Sequence, residues 1–340
     1  MAGPVNLADV ARRAGVSSAT ASRALSDHPH VAVATRERVW QAARELEYVA
    51  SPDATGLARG TTGRVAVVVP HLARWWFGAA LEGLSGALRA AGLDLLLYRL
   101  GDAEARQAFF DELPARRRVD AVVLLGFGVD ERERERLDRI GVGIVAAGTR
   151  VGSHPSVSID EYAAGRQAMD HLLHLGHRRI GMIAAADPEL DLAQPAGRST
   201  AYHAALADAG IEPDPDLTVT VTWSPESGAR AMSELLGLAD PPTAVYAHSD
   251  EIALGALRTL RRAGYRVPED VSVIGIDDHP LAAITDLSTV AQPAAEQGEL
   301  AAGTVIAGLA GEPVDPLVTV PTRLVIRGTS GRPPGRRGAS

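Results

Sequence analysis

The segment TAVYAHSDEIALGALRTLRRAGYRVPEDVSVIGIDD, residues 243–278, reads as strand, helix and strand. Its ends, TAVYAH (243–248) and VSVIGI (271–276), are continuous apolar runs rather than alternating ones, the pattern of strands covered on both faces. The same unit recurs upstream in RVAVVV (64–69), LDLLLY (93–98), VDAVVLLG (119–126), VGIVAAG (142–148) and RIGMIA (179–184), with amphipathic helical stretches between. Short apolar strands alternating with helices predict parallel sheets in an α/β fold. The alternation runs from residue 64 to about residue 328, too far for one doubly wound unit. Two similar lobes are therefore expected, with any ligand in the cleft at the strand C-termini.

Upstream of residue 64 the pattern changes. Pro52, Gly56, Gly60 and Gly63 punctuate a stretch, 49–62, whose one prominent apolar residue is Leu57, and this reads as a hinge. Residues 1–48 read as a three-helix head. Asn6 and Asp9 form a capping box before a helix over 7–14 with Leu7, Val10, Ala11 and Ala14 on one face. Gly15-Val16-Ser17 turns the chain; Ser17 or Ser18 caps a second helix with Ala21 and Leu25 inward and Thr20 and Arg23 outward. Thr35 is expected to cap a third helix carrying Val39, Ala42, Ala43 and Leu46. Two short helices about a glycine turn make a helix-turn-helix. The domains are thus a head (1–48), a hinge (49–62), a two-lobed core (63–328) and a Gly-, Pro- and Arg-rich tail (329–340) expected to be disordered.

Composition removes several chemistries. The 340 residues contain no Cys, which excludes disulfides, thiolate nucleophiles and Cys-ligated metals, and all 34 basic residues are Arg, which excludes Schiff-base and P-loop lysines. The net charge is −8, but the first 60 residues hold seven Arg against six carboxylates, leaving a slightly positive head on an acidic body. No apolar run approaches the ~18 residues of a membrane span, and the first twenty lack a signal-peptide core, so a cytoplasmic location is expected.

Four blocks in order carry a resemblance: NLADVARRAGVSSATASRALSDHPHVAVATRERVWQAARELEYVASPDATGLARG (6–60), VSIDEYAAGRQAMDHLLHLGHRRIGMIA (157–184), residues 248–278 of the opening segment, and STVAQPAAEQGELAAG (288–303). The chain resembles the lac repressor and galactose repressor family over nearly its whole length. The resemblance implies a homodimeric regulator that binds a pseudo-palindromic DNA operator, and a core with a periplasmic-sugar-binding-protein fold. Its operator affinity would be set by a small-molecule effector, most simply a sugar. No catalytic residue, metal or cofactor is expected. The alternative is an enzyme or ligand-binding protein on the same scaffold with a degenerate head. Against an enzyme, there is no G-x-S-x-G elbow, and Gly126-Phe127-Gly128 lacks the third glycine of a dinucleotide fingerprint.

The candidate site residues fall in two groups. In the second helix of the head, Arg23 can donate bidentately to a guanine in the major groove. Ser18 and Ala19 stand at the groove where family members carry longer side chains, and Ser17, Thr20 and Ser22 offer hydroxyls to phosphate or base. Leu57 matches the hinge leucine that family members insert into the minor groove. In the core, the family's Asn-Pro-Phe-Phe aligns with Arg74, Trp75, Trp76 and Phe77, so Trp76 and Phe77 match as aromatic platforms. Arg198 falls at the family's effector-binding arginine and Trp223 at its stacking tryptophan. Ser249, Asp277 and Gln292 complete the expected cleft, with Asp250 as a helix cap and Asp278 as loop support. His171, His174 and His177 recur every third residue, but Gly176 ends that helix, which argues against a metal site.

Overall fold

The computed structural model describes residues 5–25, 30–48, 61–186 and 196–334. Beyond the head lie two six-stranded sheets, one per lobe. In the first lobe, β1 (Arg64–Val69), β2 (Asp94–Arg99), β3 (Ala121–Leu125), β4 (Gly143–Ala147), β5 (Ser156–Ile159) and β11 (Leu317–Val320) run in the order β11-β5-β4-β3-β1-β2. In the second, β6 (Ile180–Ala185), β7 (Thr218–Val221), β8 (Ala244–Ala247), β9 (Ser272–Asp277), β10 (Ser288–Ala291) and β12 (Arg323–Val325) run in the order β12-β10-β9-β8-β6-β7. The two orders follow the same plan, and the pairs are parallel except for β12, which lies antiparallel to β10. Val65 through Val69 are fully buried, as a strand covered on both faces must be.

The chain passes between lobes three times. It leaves β5 through Asp160 for a helix of the second lobe, returns after β10 through Gln292 and Pro293, and crosses again through Pro321 and Thr322 to reach β12. Each crossing is therefore short, and the two sheets stand C-terminal edge to C-terminal edge.

In each lobe one helix pair packs through glycines. In the first lobe α4 (Trp75–Ala90) lies on α12 (Ala294–Leu309): a Cβ on Gly83 would sit 2.0 Å from the Ala295 carbonyl oxygen, and one on Gly298 would sit 1.9 Å from that of Ala80. In the second lobe α9 (Pro225–Leu236) lies on α10 (Asp250–Arg262), where Gly228 and Gly255 would meet the carbonyls of Ile252 and Pro225 at 2.2 and 1.9 Å. Backbone contact this close leaves no room for a methyl group. The remaining core helices are α5 (Ala103–Glu112), α6 (Glu131–Asp138), α7 (Glu161–His174), α8 (Ala196–Asp208) and α11 (Pro280–Ile284).

The head comprises α1 (Leu7–Ala14), α2 (Ser18–Leu25) and α3 (Val33–Glu45) around Val10, Ala11, Ala21, Ala24, Val39, Ala42 and Ala43. The Asn6 side chain accepts from the backbone of Ala8 and Asp9, and the Asp9 carboxylate accepts from Asn6 N, so the capping box forms. Thr35 is not the cap of α3. That helix starts at Val33 behind Ala32, with no side-chain cap, because Val31 packs against the head core and brings the chain into the helix early.

The tail expectation is also corrected through Pro334. Thr329 is buried; its hydroxyl donates to the Val273 carbonyl at 2.7 Å and accepts from Ser288 N at 2.8 Å. Ser330 Oγ lies 2.8 Å from both His171 Nε2 and Ser288 Oγ, and the Gly331 carbonyl lies 2.8 Å from His177 Nε2. Small hydroxyl residues there satisfy backbone and imidazole groups that burial would leave unpaired. The same contacts account for two of the three periodic histidines.

Gly298→Ala is expected to lower the stability of the full chain by about 1–3 kcal/mol, the usual scale of overpacking, read as a lower urea midpoint at unchanged m. Gly303→Ala, on the same helix but with nothing within 4 Å of the added Cβ, is expected to be neutral or stabilising. Equal effects at the two positions would contradict the close approach.

Candidate functional site

In the head, α2 presents Ser18, Ala19 and Arg23 exposed and Ser22 half-buried, and these positions share one helical face. Arg23 folds back along it, its Nε donating to the Ala19 carbonyl at 3.2 Å. Ser17 is the N-cap: its Oγ accepts from Thr20 N at 3.1 Å and lies 2.9 Å from Thr20 Oγ1, so these two hydroxyls are engaged with each other. Leu57 lies outside the described residues.

Between the lobes, the loops that follow the strands enclose a cavity of about 1110 Å³. Of the effector residues expected from sequence, Trp223 lines it directly. Behind it runs a chain of buried polar contacts. Trp76 Nε1 donates to Gln292 Oε1 at 3.0 Å, Gln292 Nε2 donates to Asp277 Oδ1 at 2.6 Å, and Gln297 Nε2 donates to Gln292 Oε1 at 3.0 Å. Asp277 ends β9 with φ +135° and is buried. Arg198, near the start of α8, is buried with its Cζ 5.9 Å from the Trp223 ring. Its Nε and Nη2 face the two oxygens of Glu161, and Nη1 donates to the His248 carbonyl.

Trp76, Arg198, Asp277 and Gln292 stand behind the wall rather than on it, and the two remaining expected residues belong to neither the wall nor that network. Phe77 is 2% exposed and packs in the first lobe's core, with Trp76 edge-on at 5.2 Å. Consecutive helical positions point about 100° apart, so the two rings cannot both face the cleft. Ser249 is spent as the N-cap of α10, accepting from Ile252 N at 3.3 Å. Asp250, expected to be that cap, instead turns inward and accepts from Thr289 Oγ1 at 2.6 Å and His279 N at 2.8 Å. Asp278 does support its loop, accepting from Arg327 Nη2 at 2.6 Å.

Two further residues belong to the site without having been expected there. Arg74, the N-cap residue of α4, reaches across the cleft and sets its guanidinium carbon 4.4 Å from the Trp223 ring centre and 5.2 Å from that of Phe77. Its neighbours also dock on the second lobe: Trp75 N donates to Glu251, which feels the Arg74 charge, and the Trp75 ring lies 5.4 Å from that of His279. The signal for Arg74 was its departure from the family's Asn. Glu161 had none, since an acid in the first turn after Asp160 reads as ordinary helix capping.

A helix-turn-helix head and a two-lobed parallel core around a polar cleft define a ligand-sensing bacterial transcriptional regulator. This chain belongs to the lacI family of bacterial regulatory proteins. The model of bacterial regulatory proteins of the lacI family matches residues 6–51, and that of the periplasmic binding protein-like domain matches residues 169–330. The HTH-type transcriptional repressor CytR of Escherichia coli strain K12 is 36% identical over 296 residues, 85% of each chain. The HTH-type transcriptional regulator CelR of Thermobifida fusca is 35% identical over 330 residues, 94% of this chain and 96% of that one. Among solved structures, the lac repressor dimer bound to operator and the anti-inducer ONPF superposes with a TM-score of 0.84 at 26% identity, covering 97% of this chain and 100% of that one. A CelR–cellobiose complex does so with a TM-score of 0.71 at 33% identity, covering 96% and 99%. These relatives are regulators rather than enzymes. Among the described residues no helix is long and apolar enough to cross a membrane.

The cleft floor is electrostatically tense. Burial, and after it the charge of Asp277, raises the Asp250 carboxyl well above the usual carboxylate range; burial also raises Asp277, against the opposing pull of Arg198. Burial disfavours the charge on Arg198, but Glu161 and Asp277 more than compensate. His248 is pushed down to about 3, by burial first and Arg198 second. Its neutral form is therefore complete above the ordinary histidine value, and the neutral-to-alkaline range isolates the carboxyls. Because the fold favours their protonated forms, their contribution is full in acid and is lost as pH rises through their raised values. Urea-unfolding stability is expected to fall between about pH 7 and pH 9, and Asp250→Asn is expected to flatten that decline. An unchanged slope in the variant would show that Asp250 is not the responsible group.

Proposed function

We propose that this regulator is a repressor: two copies bind a pseudo-palindromic operator through α2 of each head, and a sugar held between the lobes sets operator affinity. It acts in the cytoplasm and by binding alone, without turnover. The observation that carries the effector half is Trp223 on the cavity wall, with the buried Arg198, Asp277 and Gln292 network behind it. An indole face takes the C–H face of a pyranose, and fixed polar groups take its hydroxyls. Arg74 lies over the Trp223 ring, so a sugar stacking on that face takes its place. The solved CelR relative was captured with cellobiose and the lac repressor with ONPF and operator, which supports the same reading here. Leu57, at the hinge, is the residue we propose to wedge into the operator centre.

Moving Arg74 off Trp223 changes how the lobes meet, and hence how far apart the two hinges stand in the dimer. Coupling of this kind is reciprocal: a ligand that weakens operator binding tenfold, about 1.4 kcal/mol, binds tenfold more weakly to the DNA complex.

Thermal-shift screening against sugars, sugar phosphates and nucleobases identifies the ligand, since binding at 100 times Kd adds about 2.7 kcal/mol of stability. Operator affinity by fluorescence anisotropy across a titration of that ligand then tests the cleft. Trp223→Ala is expected to raise the ligand concentration required, and Asp277→Ala to abolish the response while leaving ligand-free operator affinity nearly intact. A normal response in both variants would place the ligand elsewhere. On the head, Arg23→Ala is expected to cost about 1–3 kcal/mol on the operator and less on random-sequence DNA; equal losses would make Arg23 a phosphate contact.

A further inference from the structure

The core carries a second positive feature on the side away from the cleft. Arg116, Arg117 and Arg118 are three consecutive exposed arginines in the turn between α5 and β3. The turn is built rather than loose: Leu113 takes the left-handed conformation, Arg116 N donates to the Leu113 carbonyl at 2.9 Å, and Arg118 N donates to that of Ala115 at 3.0 Å. Arg117 sits at φ +61°, and the buried Ala115 and Val119 pin the turn on either side. Nearby Asp111 is already held by Arg132 and Arg136, while Glu112 shares the shallow depression that the three arginines line. Among the described residues none of the three arginines enters an ion pair.

The position of this turn gives it a partner. Two residues beyond Arg118, the Asp120 carboxylate accepts from Thr62 N and Gly63 N, both at 2.7 Å, and Asp120 N donates to the Arg64 carbonyl at 2.8 Å. The arginines are therefore fastened to the point at which the chain enters the core from the head. A chain of net charge −8 repels a polyanion at long range, and residues that concentrate positive charge where the duplex approaches offset that repulsion. A guanidinium fork fits a phosphate bidentately.

We propose that Arg116, Arg117 and Arg118 bind backbone phosphates of the duplex that the head reads, a sequence-independent contact supplied by the core. This rests on the DNA-binding reading above. Each phosphate neutralised contributes about 0.9 to the slope of log affinity against log salt.

The probe is a fluorescein-labelled duplex selected from random sequence by the full wild-type chain, with affinity measured by anisotropy across a salt series. Replacing all three arginines by Gln is expected to make the slope shallower by about 0.9 for each phosphate no longer neutralised, and to weaken binding most at low salt. The reversal Arg116→Glu with Arg118→Glu is expected to weaken it further. Arg261→Gln with Arg262→Gln, the same kind of charge change at two exposed positions that end α10 of the second lobe, is expected to leave the slope unchanged. Circular dichroism and the melting temperature should match wild type in every variant. A steep wild-type slope retained in the Gln variant would overturn the proposal alone, as would an equal loss in the α10 control. A wild-type chain that selects no duplex would overturn it together with the DNA-binding reading.

Discussion

The Gln292 amide is held from both lobes at once, and the arrangement of the cleft depends on it. Its carbonyl oxygen accepts from Trp76 Nε1 on α4 of the first lobe and from Gln297 on α12, while its nitrogen donates to Asp277 at the end of β9 in the second. A primary amide is suited to this place because it donates and accepts in one plane. Asp277 in turn is one of the charges that keep Arg198 ionised, and Arg198 stands behind Trp223. Asp277, Gln292 and Trp76 thus form a hydrogen-bonded path that ends on the helix carrying Arg74, while Arg198 meets Asp277 through charge and Trp223 through its ring. In a buried setting such a path has a few discrete arrangements rather than a continuum, which is what a two-state sensor needs.

The rest of the fold keeps that path in register. Gly83 with Gly298 and Gly228 with Gly255 let helix backbones touch in each lobe, so α4 and α10, whose first turns face the cleft, are set firmly against their neighbours. The segment Thr329 to Gly331 closes the second lobe from outside through Val273, Ser288, His171 and His177. Rigid lobes on three short crossings confine motion to the crossings themselves.

Much of this was legible in the sequence, and the failures have physical causes. All seven apolar runs became strands, six of them covered on both faces as their continuous Val, Ile and Leu require, while β2 lies at the sheet edge with Leu97 exposed. The strands that escaped notice, SVSI, TVTV, STVA, LVTV and RLV, are three or four residues long and carry hydroxyls or Arg, so composition reads them as loop. Ser288 and Thr289 belong to a strand because Ser330 and Asp250, far away in the chain, take up their hydroxyls. Trp76, Arg198, Trp223, Asp277 and Gln292 could be placed near the cleft because strand ends and motif order locate them. Phe77 was misplaced by ignoring helical rotation, and Ser249 by overlooking a cap. Arg74 showed only as a departure from the family's Asn, because its role is defined by Trp223 and Glu251 on the opposite lobe.

If the two lobes are coupled through Gln292, a double-mutant cycle across it must show the coupling. Trp76→Phe and Asp277→Asn, singly and together in the full chain, remove or weaken the two hydrogen bonds that end on Gln292 from opposite lobes. The free energy of the core unfolding transition in urea, measured for all four proteins, is predicted to show an interaction of about 0.5–3 kcal/mol between the two sites. Strict additivity would contradict the coupling, since it would mean that the lobes meet at Gln292 without communicating through it.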